Sequence, residues 1–341
     1  MTFRTFFGLC IIIFSNILWA EEIKLNASHP GKYTVKQGDT LWNISKKFLQ
    51  NPWQWSEIWQ QNGKIENPNL IFPGDIVALT FVNGKPRLGL ANPKQNLLAP
   101  RMREISAQEA IKVIPIEAIE SFLTSPRIVS KKDLKMAPYV VDFAKEHLLA
   151  GAGDRIYVRN ISQNKGLNFT VVREGNEFLQ TESNETLGYE AIYLADAVLE
   201  KTGDPATLEI TNSRSVIRKG DKLLPSEGGQ IALNFFPKTP DVQIKGEIIS
   251  VLDGVSQLGQ HNIVAINKGS SEGLKPGHTL KIMKRGKTIN DSYGELRNEK
   301  INLPNEEAGV LMIFRAFDKI SYGIIMTAVD AIHINDYVIS P

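Results

Sequence analysis

Side chains that commonly perform catalysis or bind metals occur singly in this sequence of 341 residues. The one cysteine, Cys10, lies in an apolar N-terminal run, so the remainder of the chain has no thiol for a nucleophile, a disulfide or a redox pair. The histidines show none of the paired spacings of a zinc site; they are His29, His147, His261, His278 and His333. We therefore expect no catalytic residue, no bound metal and no cofactor.

Three carboxylates remain as candidates for acid–base chemistry. Glu120 precedes a serine, as the acid of some glycan-cleaving enzymes does, but such an acid needs a cleft in a large helical domain. The sequence instead predicts a short amphipathic helix after Pro115, followed by a β-rich region. Asp221 and Asp336 each follow a glycine or an asparagine and precede a short strand, which is typical of turn residues.

Composition limits the class of protein further. Lys+Arg 39 against Asp+Glu 37 leaves a formal net charge of +2, so no strong positive field favours a nucleic-acid partner. Hydrophobic residues make up 42% of the chain, which is enough to bury ordinary cores. A chain of this length predicts two or three domains, at roughly 150 residues each.

The N-terminus has the pattern of an export signal. Arg4 is the only charged residue before an apolar run from Phe6 to Trp19, and Ala20 then precedes Glu21. A basic start, an apolar stretch and a small residue predict a signal peptide over residues 1–20, with cleavage after Ala20. The run is shorter than the roughly 20 residues of a bilayer span. We expect no membrane span after cleavage; the alternative is an uncleaved anchor.

Residues 31–80 predict a small domain with the order strand, helix, helix, strand. Tyr33–Val35 alternates as a strand, and Gln37–Thr40 forms a turn that caps the next helix. In that helix Leu41, Ile44 and Phe48 share one face. After Asn51-Pro52 a second helix runs from about residue 53 to 61, and residues 76–80 form the closing strand.

This segment resembles the LysM domain. The run from Tyr33 to Ile44 follows the opening signature of that family almost residue for residue, and Asn62 with Ile71–Asp75 matches its closing signature. The tryptophan-rich insert at residues 51–59 resembles the variety found in proteobacterial envelope proteins. The resemblance implies binding to the N-acetylglucosamine-containing strands of peptidoglycan, in the periplasm or cell wall, without catalysis.

The resemblance also implies a glycan groove between two loops. Its residues would be Gly38, Asp39, Thr40, Leu41 and Trp42 on one side, and Asn62, Asn67, Pro68, Asn69, Leu70 and Ile71 on the other. Other roles are open for several of these. Gly38 and Asp39 suit a turn and a helix cap, and the helical spacing of Leu41 favours the core. The sequence also favours a core position for Trp55 and Trp59. Trp42 lies off the apolar face of the helix, so the spacing leaves open whether it is in the core or contacts the glycan or a neighbouring domain.

Beyond this domain the sequence predicts a linker and two β-rich modules. Glycines and prolines punctuate residues 81–104, which is typical of an extended linker. Short β-branched runs between turns then predict small barrels or sandwiches, over residues 105–238 with the leading helix and over residues 239–341. Gly166–Gly175 matches Gly277–Gly286 in length and pattern, which indicates a tandem duplication.

The predicted fold is therefore an α+β multidomain chain with an N-terminal βααβ domain. The predicted function is non-catalytic peptidoglycan binding, with residues 105–341 as an interaction or scaffold surface for an envelope protein partner. The alternative is a peptidoglycan-remodelling enzyme, or an activator of one, that uses the LysM domain for targeting.

Overall fold

The computed structural model describes residues 23–59, 71–91, 114, 119, 127–144, 148–161, 166–181, 183–226, 236–252, 258–293 and 299–341. The expected signal peptide and residues 92–104 of the expected linker lie outside these ranges. So does the expected helix after Pro115, apart from Ile119. No helix within the described ranges is both long enough and apolar enough to cross a membrane.

The N-terminal domain has the expected βααβ order. Its elements are β1 (Lys32–Thr34), α1 (Leu41–Phe48), a 3-10 turn at Pro52–Gln54, α2 (Trp55–Ile58), β2 (Ile76–Val82) and β3 (Lys85–Leu90). The strands form an antiparallel sheet in the order β1-β2-β3. Helix α1 begins after Thr40, and it buries Leu41, Ile44 and Phe48, the face that the spacing predicts.

Strand β3 lies within residues 81–104, the range of the predicted linker. Asn83 and Gly84 both have positive φ (51° and 75°), so they form a two-residue hairpin turn between β2 and β3. Pro86 is tolerated because β3 is an edge strand of this sheet. Leu88 is 2% exposed and packs in the domain core. Residues 85–90 thus belong to the sheet of the N-terminal domain.

A first barrel follows, led by β4 (Arg127–Val129) and α3 (Lys131–Met136). Its strands are β5 (Tyr139–Phe143), β6 (Arg155–Arg159), β7 (Asn168–Leu179), β8 (Thr186–Lys201), β9 (Ala206–Ser213) and β10 (Lys222–Pro225). They pair in the order β8-β7-β10-β5-β6-β9, and a further β9–β8 pairing closes the ring. Strand β4 pairs with residues 189–191 of β8, beyond the part of β8 that pairs with β9.

A second closed barrel completes the chain. Its strands are β11 (Lys245–Val251), β12 (Ile263–Ile266), β13 (Thr279–Lys284), β16 (Glu306–Ala316), β17 (Ser321–Ala328) and β18 (Tyr337–Ile339). They pair in the order β11-β12-β17-β16-β13-β18. Between β13 and β16 the chain forms a separate ribbon of β14 (Thr288–Asp291) and β15 (Glu299–Asn302). The prediction of β-rich modules is confirmed, and both modules are barrels.

The two barrels have the same strand connectivity. When β5 to β10 are set against β11, β12, β13, β16, β17 and β18, every pairing in one ring has its counterpart in the other. The same irregularity also recurs in the first strand of each ring. The register shifts between Val140 and Asp142 in β5, and between Ile248 and Ser250 in β11.

The second barrel is apolar on its inner and outer faces. Its interior holds side chains such as Ile248 and Leu311. Outward side chains, among them Met312 and Tyr322, join a cluster that also contains the core of the N-terminal domain. Strands buried on both faces need such continuous apolar runs. The N-terminal domain therefore packs against the second barrel.

Candidate functional site

Two turns of the N-terminal domain share one geometry. They are Lys36–Asp39, before α1, and Phe72–Asp75, before β2. In each turn the aspartate carboxylate accepts a hydrogen bond from the backbone N–H of the first residue, at 2.8 and 2.9 Å. The third residue is Gly38 in one turn and Gly74 in the other, with φ of 84° and 95°. A positive φ at this position strongly favours glycine, as in a type II turn.

These two turns lie side by side. The backbone N–H of Val35 donates to the carbonyl of Asp75, and the N–H of Gly74 donates to the carbonyl of Val35, both at 2.8 Å. Val35 thus joins the loop that precedes α1 to the loop that precedes β2. These two hydrogen bonds hold the turn that precedes α1 beside the turn that follows Ile71.

The backbone is open at both glycines. Apart from the chain neighbours of each glycine, no heavy atom of the described residues lies within 4 Å of the position that a Cβ would occupy on Gly38 or on Gly74. A ligand can therefore approach the main chain closely there, because glycine adds no side chain between the two. The exposed N–H and C=O groups of such turns can bind hydroxyl and amide groups of a glycan.

The side chains of Asp39 and Thr40 both have structural partners. Besides its bond from Lys36, the Asp39 carboxylate accepts from the Tyr33 hydroxyl at 2.9 Å. Burial raises the pKa of Tyr33, and this hydrogen bond raises it further. The Thr40 hydroxyl accepts from the backbone N–H of Asn43 at 3.2 Å, which makes it the N-cap of α1. The turn and the cap are the roles that the sequence left open.

Three other predicted groove residues have buried side chains. Leu41, Trp42 and Ile71 are at most 2% exposed and belong to the hydrophobic cluster of the domain. Helical spacing alone does not place Trp42. The structure places it in the core, and among the described residues its indole N–H has no hydrogen-bond partner. A glycan in the groove would meet the backbone of these residues rather than their side chains.

The rest of the second groove wall lies outside the described residues. This applies to Asn62, Asn67, Pro68, Asn69 and Leu70. Of that wall the structure describes Ile71 and the turn that follows it.

The tryptophans of the insert are core residues. Trp53, Trp55 and Trp59 are buried, and the rings of Trp55 and Trp59 meet edge to face with centroids 6.1 Å apart. One neighbour of Trp55 could not be predicted from the sequence, and it lies just before Lys238, which pairs with His278 of the second barrel. The ring of Phe236 lies 6.1 Å from that of Trp55, and the Ser56 hydroxyl donates to the Pro237 carbonyl at 3.4 Å. The insert thus holds the domain against the second barrel.

The carboxylates considered for catalysis have turn roles where the structure describes them. The Asp221 carboxylate accepts from the backbone N–H of Arg218 and pairs with Arg173, both at 2.7 Å. Asp336 accepts from the N–H of His333 at 2.8 Å. Glu120 lies outside the described residues. In the described part of the chain, no three His, Cys, Asp or Glu side chains are grouped as a metal site requires.

Comparison with known proteins identifies the N-terminal domain. Residues 33–80 match the family model of the LysM domain. A Bacillus subtilis (strain 168) protein, "Uncharacterized protein YqbP", is 42% identical over 57 residues, which cover 14% of this chain and 26% of that protein. The chain thus spans about a quarter of that relative's length.

The chain therefore contains a LysM domain at residues 33–80. LysM domains are non-catalytic modules that bind glycans of the peptidoglycan and chitin type, and they typically occur in extracellular or cell-envelope proteins. The two adjacent Gly-Asp turns lie within the matched residues.

Proposed function

We propose that this protein is a non-catalytic, exported envelope protein whose LysM domain binds N-acetylglucosamine-containing peptidoglycan strands. The groove runs between residues 38–42 and residues 62 and 67–71. The observation that carries this proposal is the pair of adjacent turns, with open backbone at Gly38 and Gly74. The signal segment at residues 1–20 delivers the chain to the periplasm or cell wall.

The expected affinity follows from the size of the groove. A short groove makes few hydrogen bonds with a glycan, each worth about 0.5–1.5 kcal/mol net. The combined free energy of a few such hydrogen bonds is consistent with a dissociation constant near micromolar or weaker. Because main-chain groups supply much of the contact, side-chain truncations are weak tests. Filling the open space above a glycine is a stronger test.

The test is a pull-down of the full chain with purified sacculi. Gly38→Asn puts a side chain into open space, and asparagine tolerates the positive φ, so the turn should persist while the groove is obstructed. Gly84→Asn is the matched control. It also has a positive φ and open space, but it lies in the β2–β3 turn.

We expect Gly38→Asn to lose sacculus binding, with a melting temperature close to that of Gly84→Asn, which should bind as the parent chain does. Equal binding by both variants would contradict the assignment of the groove. The same preparation in a sacculus zymogram tests the non-catalytic part of the proposal. A cleared band would favour the alternative of a LysM-targeted remodelling enzyme.

We further infer that the two barrels arose by tandem duplication and present an interaction or scaffold surface within residues 105–341. Matching turns support this inference. The Asp154 carboxylate accepts from the N–H of Gly151 at 3.0 Å, and at the same place in the second barrel Asn262 accepts from Gly259 at 2.8 Å. The turns ending at Asp221 and Asp336 form a second such pair.

The modules are then residues 23–91 for the LysM domain, 105–238 for the first barrel with its leading segment, and 239–341 for the second. The partner of the barrel surface is a protein of the envelope.

A further inference from the structure

The hairpin between β7 and β8 reaches from the first barrel to the second. Its outer part, Glu177–Leu179 with Thr186–Tyr189, is named the first arm, and it begins after a register break that follows Glu174. At its tip, the Gln180 side chain accepts from the Asn267 amide at 3.1 Å, and Glu185 pairs with Lys319 at 3.0 Å. These are contacts between the two barrels.

Apolar side chains reinforce this docking. Phe178 of the first arm is 3% exposed and belongs to the cluster on the outer face of the second barrel. Leu187, on the other strand of the arm, packs against the same cluster, which also contains Ile320. An arm that extends from one barrel is therefore buried by another barrel.

The second barrel carries an equivalent ribbon, β14 with β15, which is named the second arm. It leaves the ring next to Gly286, which matches Gly175 in the sequence repeat. Within the described residues the second arm pairs with no third strand. Ile289 and Ile301 face each other across it and are 42% and 39% exposed, and Tyr293 at its end is fully exposed.

A ribbon of this kind gains little stability from its own contacts. A two-stranded ribbon is marginally stable in water by itself, and an exposed apolar cross-strand pair adds no core to hold it. The first arm leaves its own barrel at the equivalent place, and the second barrel covers it. The second arm therefore has the features of a docking element, and none of the described strands or ring residues covers it as the second barrel covers the first arm.

Among the described residues, the first barrel has a free surface at the place equivalent to the one that receives the first arm. On the second barrel, Asn267 ends a strand beside Glu247 and is 4% exposed under the arm. Its counterpart Arg159 ends a strand beside Tyr139, and its side chain is 53% exposed. Asp204 occupies the turn that corresponds to that of Lys319, and it too is exposed.

Charge also suits this pairing. The free surface carries Arg159 and Lys219, both exposed, in addition to their carboxylate partners Asp204 and Asp142. The end of the second arm carries Glu299 beside Lys300, also exposed. Both surfaces bear charges of both signs, so ion pairs can form across them without a net repulsion.

We propose that the second arm docks on the Arg159 face of the first barrel of another copy of this chain. The contact is head to tail, because arm and receiving face are different surfaces, so repetition closes a ring or extends a filament. The proposal rests on the barrel surface as an interaction surface and is independent of glycan binding. On a peptidoglycan layer, it would link glycan-bound copies to one another.

The first test is sedimentation of the full chain over a range of concentrations. We expect the chain to self-associate. Ile301→Lys and Arg159→Glu should each raise the dissociation constant of this association by about tenfold or more, which is the cost of one good contact. Both residues are on the surface, so the barrels should remain folded. Phe81→Lys, which changes a 60% exposed apolar residue on the LysM domain, is the matched control and should associate normally.

The second test identifies the contact by crosslinking. The chain has one cysteine, Cys10, which is replaced by serine so that Tyr293→Cys and Lys219→Cys become single-cysteine variants. Oxidation of their mixture should yield a disulfide-linked pair, and neither variant alone should yield one. A pair formed by Tyr293→Cys alone would mean arm-to-arm contact and would overturn the head-to-tail arrangement.

A monomer at every concentration, or association that both arm and face variants leave unchanged, would also overturn the proposal. Sacculus binding is measured on the same variants. Normal glycan binding with lost self-association would show that the variants act on the arm contact alone. Lost glycan binding with normal self-association would overturn the arm contact and would also count against the proposed glycan groove.

Discussion

The Asp39 carboxylate accepts a hydrogen bond from the backbone N–H of Lys36, three residues earlier, at 2.8 Å. The same turn, with a positive φ at its third residue and a side-chain acceptor at its fourth, recurs through the chain. Further examples are Phe72–Asp75, Gly151–Asp154, Arg218–Asp221, Gly259–Asn262, Lys275–His278 and His333–Asp336. Aspartate, asparagine and neutral histidine can all supply the acceptor.

This recurrence predicts how Asp39 variants behave. Asp39→Ala leaves the Lys36 N–H without its acceptor and should lower the unfolding free energy of the LysM domain by about 1 kcal/mol. Asp39→Asn should cost less, because an amide oxygen fills the same role in the Asn262 turn. Hydrogen exchange of the Lys36 N–H measures this directly, and glycan affinity should follow the exchange. If the Lys36 N–H exchanges in both variants at the rate of the parent chain, the carboxylate does not hold the turn.

The cap of α1 yields a second prediction. Thr40→Val removes the acceptor for the Asn43 N–H and should destabilise the helix by about 1 kcal/mol, whereas Thr40→Ser keeps the hydroxyl and should be close to the parent. Amide exchange in the first turn of α1 is the readout. If Thr40→Ser binds sacculi as the parent does while Thr40→Val binds weakly with an unchanged exchange rate, the hydroxyl contacts glycan instead.

Strand β3 can be tested as part of the LysM domain. Leu88→Ala opens a cavity in the core and should cost about 2–5 kcal/mol, whereas Phe81→Ala, on the adjacent strand but exposed, should cost little. Thermal unfolding of the full chain, followed by tryptophan fluorescence, reports on this domain, because its core contains tryptophans. Similar melting curves for both variants would mean that the domain ends at residue 80.

The His278 turn predicts a pH dependence of stability. His278 is 3% exposed, and burial lowers its pKa below the ordinary value of about 6.5; Asp241 opposes this, and Lys238 and Lys275 add to it. As the pH falls below that ordinary value, the unfolded chain takes up the proton first. The unfolding free energy should therefore decrease with falling pH, until the folded pKa is passed.

His278→Asn should reduce this pH dependence, because an amide accepts the Lys275 N–H as Asn262 accepts the Gly259 N–H, and it does not titrate. Urea unfolding between pH 7 and 5, at intervals of about half a unit, measures the effect. His261, whose pKa burial also lowers, keeps its own contribution in both chains. An unchanged slope in the variant would mean that His278 is not a source of the dependence.

Local sequence determined the elements whose contacts are close along the chain. The helical face of Leu41, Ile44 and Phe48 follows from a repeat of 3.6 residues, and the Gly-Asp turns follow from the backbone that glycine permits. The LysM signature adds the order of elements, since it lies within about fifty contiguous residues. The similar pattern of residues 166–175 and 277–286 is visible in the sequence for the same reason.

Tertiary structure decided the features that join residues far apart in sequence. The burial of Trp42 depends on what packs around α1, and its spacing on the helix does not specify that. Barrel closure depends on strand pairings across long separations, and short β-branched runs fit either a barrel or a sandwich. The contact of Trp55 with Phe236 joins residues 181 positions apart, as does the hydrogen bond of Ser56 to Pro237. No local pattern encodes such a contact, because it forms only when separately folded elements pack together.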